Sequence, residues 1–221
     1  MINKVTTLER AMEKVHDGDT ILVGGFLKCG HPQMLTGRLA DMNVRDLTIV
    51  SMCTGTTECN LYKVFTNGQV SKVIGSYIRF NPVTVDMVLK NDGSVTILPM
   101  GTFAERIRAG GSGLGGILTA TGVGTLVEEG KQKINVNGKD YLLELPIRGN
   151  VALVHAYMAD EMGNLVFRGT ARNFNAVMPY AADYVIAEVE HIVKTGEISP
   201  DDVIVPGAFV DAVVKVGDNN G

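Results

Sequence analysis

Asp17-Gly-Asp-Thr-Ile-Leu-Val-Gly-Gly-Phe-Leu-Lys-Cys-Gly-His-Pro32 is the stretch on which the fold turns. It runs from a polar turn into an apolar strand, then into a glycine-rich loop that stops at a proline. Ile21, Leu22 and Val23 form the short aliphatic run of a strand buried on both faces of a parallel sheet. Gly24 and Gly25 follow without side chains, so a ligand can approach the backbone there. In open α/β sheets the crevice past the carboxyl end of a strand is where ligands bind. By residues alone this is a ligand loop of unassigned specificity.

Outward from that loop, helix and strand alternate through the first two-thirds of the chain. Thr6 or Thr7 can cap a helix to about His16, with Leu8, Met12 and Val15 on one face. A second helix opens near Pro32 and carries Met34, Leu35, Leu39 and Met42. Strands are expected at Asp46–Ser51, Val73–Ile78 and Val95–Pro99, with helices at Val83–Lys90 and from Phe103 to Arg108. This rhythm predicts an α/β fold with a mostly parallel sheet flanked by helices. After Gly110 the chain turns β-rich. Lys133–Leu145 reads as a hairpin about Asn137-Gly138, and further strands are expected at Val151–Tyr157, Gly163–Arg168, Tyr184–Val189 and Val203–Val205. No repeat or linker divides the chain, so residues 1–221 are expected to form a single domain.

Bulk properties narrow the function. Forty-five per cent of the 221 residues are hydrophobic and 20% charged, the balance of a globular protein with a full core. A net charge of −4 speaks against a nucleic-acid partner. No apolar segment reaches the roughly 18 residues of a membrane span, and the N-terminus carries no signal-like region. The expected setting is the cytoplasm. Cys29, Cys53 and Cys59 lack ligand spacing, and Cys29 reads as a packing residue. His16, His31, His155 and His191 are scattered, so no metal site is expected. His31, in the ligand loop, is expected to meet solvent.

Gly111-Ser-Gly-Leu-Gly-Gly116 matches the dinucleotide fingerprint by letter and fails it by context, because a helical pattern precedes it and no helix start follows. A backbone-rich loop shaping a ligand pocket is the better reading. Glu105, Glu128, Glu129 and Glu144 are the candidate nucleophiles or bases, but none stands in a strained or glycine-flanked turn. Glu105 with Arg106 and Arg108 reads as an ion-paired surface, and Glu128-Glu129 as a helix end. No Ser or Cys has a hydrolase elbow. The residues describe a binding half without a complete catalytic set.

The opening stretch resembles the alpha-subunit signature of family I coenzyme A (CoA) transferases: Asp-Gly, an apolar strand, Gly-Gly-Phe, three residues, Gly, one residue, Pro. The likeness extends over nearly the whole chain, through Gly101–Gly116, Thr121–Lys131 and Ala171-Arg-Asn-Phe-Asn175. It implies the CoA-transferase fold and a subunit that moves CoA between a short-chain acyl-CoA and a 3-oxo or short fatty acid. It also implies a beta-subunit partner in an α2β2 assembly, whose glutamate forms a glutamyl-CoA thioester in a ping-pong reaction. No catalytic residue is then expected on this chain and no tightly bound cofactor, the CoA thioester being a substrate. Gly24, Gly25, Phe26, Leu27, Lys28, Cys29 and Gly30 become the expected CoA loop, with Lys28 as the charge for a phosphate. Met52, Cys53, Phe80, Met100 and Gly101 become the expected acyl-pocket and oxyanion region.

Two positions depart from the family pattern. Relatives typically carry Asn soon after the second strand, where this chain has Ser51-Met52-Cys53, and Pro-Gln-Gly-Thr where it has Pro99-Met100-Gly101-Thr102. Methionine keeps the volume but donates no hydrogen bond, and losing an oxyanion donor can cost on the order of 10²–10³ in rate. The pocket is expected to be rebuilt for a less polar acyl group. Two other functions remain open: a non-catalytic acyl-CoA-binding or regulatory partner, and a sugar-phosphate isomerase or sensor on a related fold.

Overall fold

A computed structural model describes residues 2–217. The alternation read from the sequence is present: α1 (Leu8–Met12), β1 (Thr20–Val23), α2 (Gln33–Asp41), β2 (Leu47–Cys53), α3 (Asn60–Thr66), β3 (Val70–Tyr77), α4 (Pro82–Lys90), β4 (Val95–Ile97) and α5 (Met100–Gly111). Three short strands follow, β5 (Ile117–Thr119), β6 (Lys133–Val136) and β7 (Lys139–Glu144). The chain then returns through β8 (Gly149–Asp160), β9 (Leu165–Val166), β10 (Ala182–Val193) and β11 (Ala212–Lys215). No helix among these residues is long and apolar enough to cross a membrane.

The large sheet has the order β11-β10-β8-β1-β2-β3-β4, all parallel, with β9 antiparallel on β8. From β1 the chain builds outward through β2, β3 and β4. It then crosses back and builds the other way through β8, β10 and β11. The order therefore reverses between β1 and β8, the switch point at which doubly wound sheets open a crevice. The glycine loop leaves β1 at that place.

Helices and turns bury both sheet faces, which is why the central strands read as unbroken apolar runs. Ile21, Val23, Leu153 and Ile186 pack with Leu35, Leu39 and Leu61 on one face. Leu22, Ala152, Val154 and Ala187 pack with Phe103, Ile107 and Met178 on the other. Thr7 caps α1 by accepting from Arg10 N, and buried Asn81 caps α4 ahead of Pro82.

Several expectations are corrected. α1 ends at Met12 rather than near His16, because the chain turns to Gly18 (φ +79°) and Asp19 accepts the amide of His16 at 2.8 Å. Val203–Val205 is not a strand; Val205 makes one isolated bridge to Leu165. α3, β5 and β11 were not anticipated: α3 has no side-chain cap, and both strands span only three or four residues. The 111–116 motif does follow a helix and lead into a strand, the reverse of the dinucleotide context.

β5, β7 and β6 form a separate antiparallel sheet, and the hairpin turns at Asn137 (φ +52°) and Gly138 (φ +80°). Arg106 does not join Glu105 at the surface. It turns inward to Glu144 (3.3 Å) and donates through Nε to Leu145 O (2.6 Å), while Glu105 pairs with Arg108 alone. Lys131 also bonds the Glu144 carboxylate, which is buried. Glu144 therefore fastens the small sheet to α5 and is no free nucleophile. Removing one partner of a buried pair leaves uncompensated charge. Because both cations keep some water, Glu144→Ala should lower unfolding free energy by about 2–3 kcal/mol, read as a lower midpoint in urea denaturation.

Candidate functional site

The glycine loop is pinned at both ends by side chains from residues 173–175, nearly 150 positions away. At its start, Gly24 N donates to Leu153 O (3.0 Å) and Gly25 N to Asn173 Oδ1 (3.2 Å). At its end, Asn173 Nδ2 donates to Cys29 O (3.1 Å) and Asn175 Nδ2 to Gly30 O (2.7 Å). Asn175 is fully buried; its Nδ2 also donates to Ala171 O (2.8 Å), and its Oδ1 accepts from His155 N (3.0 Å) on β8. A Cβ at residue 24 would lie 1.9 Å from Asn175 Oδ1, so only glycine fits. Gly25 has φ +98°, and a Cβ there would meet His31 Cα at 2.7 Å.

Between these anchors Phe26 and Cys29 exchange two backbone bonds (3.0 and 2.9 Å), which makes Leu27-Lys28 the tip of a tight turn. Leu27 holds φ +52°, a left-handed conformation that costs a leucine roughly 1–2 kcal/mol. Strain of that kind persists where the surroundings over-determine it and clusters at ligand sites. Here Cys59 Sγ reaches Leu27 O (3.8 Å) and Cys29 Sγ lies 3.0 Å from Thr170 Oγ1. Burial raises the pKa of the Cys53 thiol, keeping it a neutral packing group. Lys28 forms an ion pair with Glu58, both largely exposed, so the pair is weak and exchangeable.

The remaining candidates lie along the carboxyl edge of the same strands. Met52 and Cys53 end β2, Phe80 follows β3 with its ring edge-on to Tyr77 (5.4 Å), and Met100 and Gly101 open α5 after β4. Their surroundings differ. Met52 is 2% exposed and packs in the core with Leu98 and Phe103, whereas Met100 is 53% exposed. Phe26 and Phe80 are exposed as well, and nothing lies within 4 Å of a Cβ placed on Gly101.

Behind the loop stands a charged group that sequence reading missed. Glu188 on β10 is buried; its Oε2 accepts from Leu35 N (2.9 Å) in the first turn of α2, and its Oε1 faces His155 Nδ1 (3.2 Å). His155 Nε2 faces Glu190 Oε1 (3.2 Å). Burial works against the imidazolium, but Glu188 and Glu190 outweigh it, so the His155 pKa is raised. His31, expected in solvent, is buried with both ring nitrogens unpartnered among the described residues. Burial, then the nearby charge of His155, pushes its pKa down to about 4, so it stays neutral. The available signal was a lone glutamate in the apolar run Tyr184–Val189: a charge in a strand buried on both faces needs a partner.

Beside Asn173 a cleft of about 720 Å³ opens between the end of α5 and residues 172–180. Arg108, Ser112, Arg172 and Tyr180 line it, and no carboxylate does. Arg172 donates to no acceptor among the described residues, and Arg108 is engaged only through Nε, with Glu105. In a chain of net charge −4 this is a local cationic surface.

Comparison with known proteins agrees with this geometry. The family described as Coenzyme A transferase matches residues 5–216. The chain is 44% identical over 215 residues to the acetoacetyl-CoA:acetate/butyrate CoA transferase alpha subunit of Clostridium acetobutylicum, covering 97% of this chain and 99% of that one. It is 44% identical over 214 residues to the acetate CoA-transferase subunit alpha of Escherichia coli K12, covering 97% of each. Among solved structures it resembles the acyl-CoA transferase YdiF of Escherichia coli O157:H7, with a TM-score of 0.88 at 22% identity. That match covers 97% of this chain and 47% of YdiF, so the chain spans about half of that protein. The chain belongs to the coenzyme A transferase family.

Proposed function

We propose that this chain is the alpha subunit of a CoA-transferase that moves CoA between a short-chain acyl-CoA and a carboxylic acid, with the nucleophilic glutamate on a separate beta subunit. The observation that carries the reading is the state of the carboxylates. Glu144, Asp160 and Glu188 are the buried ones among the described residues, and each is engaged: Glu144 by Arg106 and Lys131, Asp160 by the amides of Met162 and Asn164, Glu188 by Leu35 N and His155. None is free to attack a thioester. The relatives' names, alpha subunit and subunit alpha, support a partner chain, and YdiF's greater length leaves room for a second half.

The geometry supports a role for each part of the site. The backbone at Gly24–Gly30 lies at the switch point, where a CoA thioester can approach it closely. The Arg108–Arg172 cleft supplies cations for the phosphates, and Lys28, whose exposed pair with Glu58 is weak, can add one at the loop tip. Exposed Met100, with Phe26 and Phe80, gives the acyl group an apolar wall. The reaction is ping-pong: the partner's glutamate attacks the acyl-CoA and expels CoA thiolate to leave a mixed anhydride. The thiolate attacks the glutamyl carbonyl and releases the donor acid, and the resulting glutamyl-CoA thioester hands CoA to the acceptor acid by the reverse steps. An α2β2 assembly in the cytoplasm completes the proposal.

Co-expression with the neighbouring open reading frame tests it. The complex is treated with acetyl-, propionyl-, butyryl- and acetoacetyl-CoA in turn, then with borohydride, and both subunits are weighed. A mass change confined to the partner is the expected result. A complex that binds CoA yet shows no change with any donor would favour the non-catalytic acyl-CoA-binding subunit, for which the missing amide at Met100 is the supporting feature.

Two substitutions read the roles separately. Arg172→Ala should raise KM for the CoA thioester by roughly tenfold, the worth of one charge-assisted hydrogen bond, with KM for the acid unchanged. Met100→Gln should shift preference toward 3-oxo acyl groups by roughly tenfold or more. Identical kinetics across the acyl panel would sink that assignment.

A further inference from the structure

The strongest unassigned feature is the run of hydrogen bonds that fixes the loop from behind. Glu188 holds Leu35 N at 2.9 Å and thereby the first turn of α2, the helix into which the loop runs. Its other oxygen faces His155 Nδ1, and Glu190 faces Nε2, each at 3.2 Å. The backbone N–H of His155 donates to Asn175 Oδ1, whose amide group holds Gly30 O. One histidine on β8 therefore meets, through its ring, the glutamate that holds α2 and, through its backbone, the asparagine that holds Gly30.

We propose that His155, as an imidazolium bridging Glu188 and Glu190, is a positioning residue for the Gly24–Gly30 loop, and that loss of its proton loosens the loop's grip on a CoA thioester. This rests on the CoA-loop reading above.

The bridge requires the charged form. An imidazolium has two N–H donors and meets both carboxylates; neutral imidazole has one, so its lone pair must face an oxygen anion. Glu190, about half exposed, can relieve that clash by turning to water, which leaves the one N–H on Nδ1. Glu188, buried and tied to Leu35 N, then keeps a neutral donor but loses its cationic partner, and the uncompensated charge falls on the group that holds α2. The charged and titratable groups that face His155 are Glu188 and Glu190 on β10 and His31 in the segment entering α2, which is neutral. Farther along β8, Tyr157 takes His191 edge-on (5.0 Å) and Arg168 over its ring (5.4 Å).

The sign is fixed by the direction of the shift. His155 is raised from its ordinary 6.5, so the anchoring is complete below that value and is lost as pH rises through the raised one.

The test uses the assembled enzyme from about pH 6 to about pH 9. KM for the CoA thioester should rise roughly tenfold with deprotonation, the worth of a charge-assisted hydrogen bond, while KM for the acid stays flat. His155→Lys keeps a charge and should abolish the rise within this range. His155→Gln should give the raised KM at every pH. A wild-type pH profile in His155→Lys overturns the proposal.

A second measurement needs neither a variant nor turnover. The imidazole of His155 and the amides of Gly24, Gly25 and Gly30 are followed by NMR through the same titration. The proposal requires a midpoint above 6.5 and loop amides that move with it. A midpoint at or below 6.5 overturns it, as do amides that ignore the titration. A complex that transfers no CoA while its loop amides follow His155 overturns the functional reading and leaves the positioning role standing.

Discussion

The buried side chain of Asn175 is the constraint on which the rest of the site depends. It has two donors and one acceptor group, and all are spent: on Gly30 O, on Ala171 O and on the amide of His155. Each such bond adds only about 1 kcal/mol net, but leaving one of these groups unpaired in the interior costs about 1–3 kcal/mol. The residue is therefore fixed in one pose, and that pose dictates its neighbours. Its oxygen forbids any side chain at residue 24, and its amide sets where residue 30 must pass. The two ends of the loop are thus specified by a residue 145 positions downstream of Gly30. The loop is held in this shape only where β8 and the turns after β9 are docked beside β1, a non-local closure whose loop entropy must be met before its hydrogen bonds reward it.

The buried charges repeat that logic. A carboxylate taken out of water is tolerable only with its lone pairs occupied. Glu144 is occupied by two cations, Asp160 by three donors of its own turn, and Glu188 by a backbone amide and an imidazole. Each joins elements that sequence distance separates or a turn must close: α5 to the small sheet, the β8–β9 corner, and β10 to α2. The chain commits its interior charge to geometry, which is what the proposed division of labour between two subunits requires.

How much of this was legible follows from the range of the interactions involved. β1, β2 and β8 announced themselves because both faces are largely buried, which writes a near-continuous apolar run into the sequence. The hairpin was legible from Asn137-Gly138, where a local backbone requirement selects residue types. β11 was not, since four residues with a parallel partner carry no pattern of their own. The loop was readable as a ligand loop from its glycines, but the side chains that make those glycines obligatory lie in Ala171–Asn175, and only the family likeness marked that block. His31 and Arg106 were misread for one reason: local polarity suggests solvent, while burial of the one and pairing of the other are decided by elements that arrive later in the chain.

The two methionines show how the structure divides what the sequence joins. Both stand where the family likeness leads one to expect an amide, and by sequence they are equivalent losses of a hydrogen-bond donor. In the fold they are not. Met52 fills core beneath the strand ends with Leu98 and Phe103, where an amide without partners would itself cost about 1–3 kcal/mol. That substitution is consistent with a repacked interior and needs no ligand to explain it. Met100, half-exposed at the first residue of α5, meets no such demand. An apolar group left open there, exposed as Phe80 and Phe26 are, is stabilised only when something covers it. On the proposed reading the divergence of the acyl pocket therefore rests on Met100 alone, because only there does an apolar side chain stand open to whatever covers that edge, acyl group or partner surface.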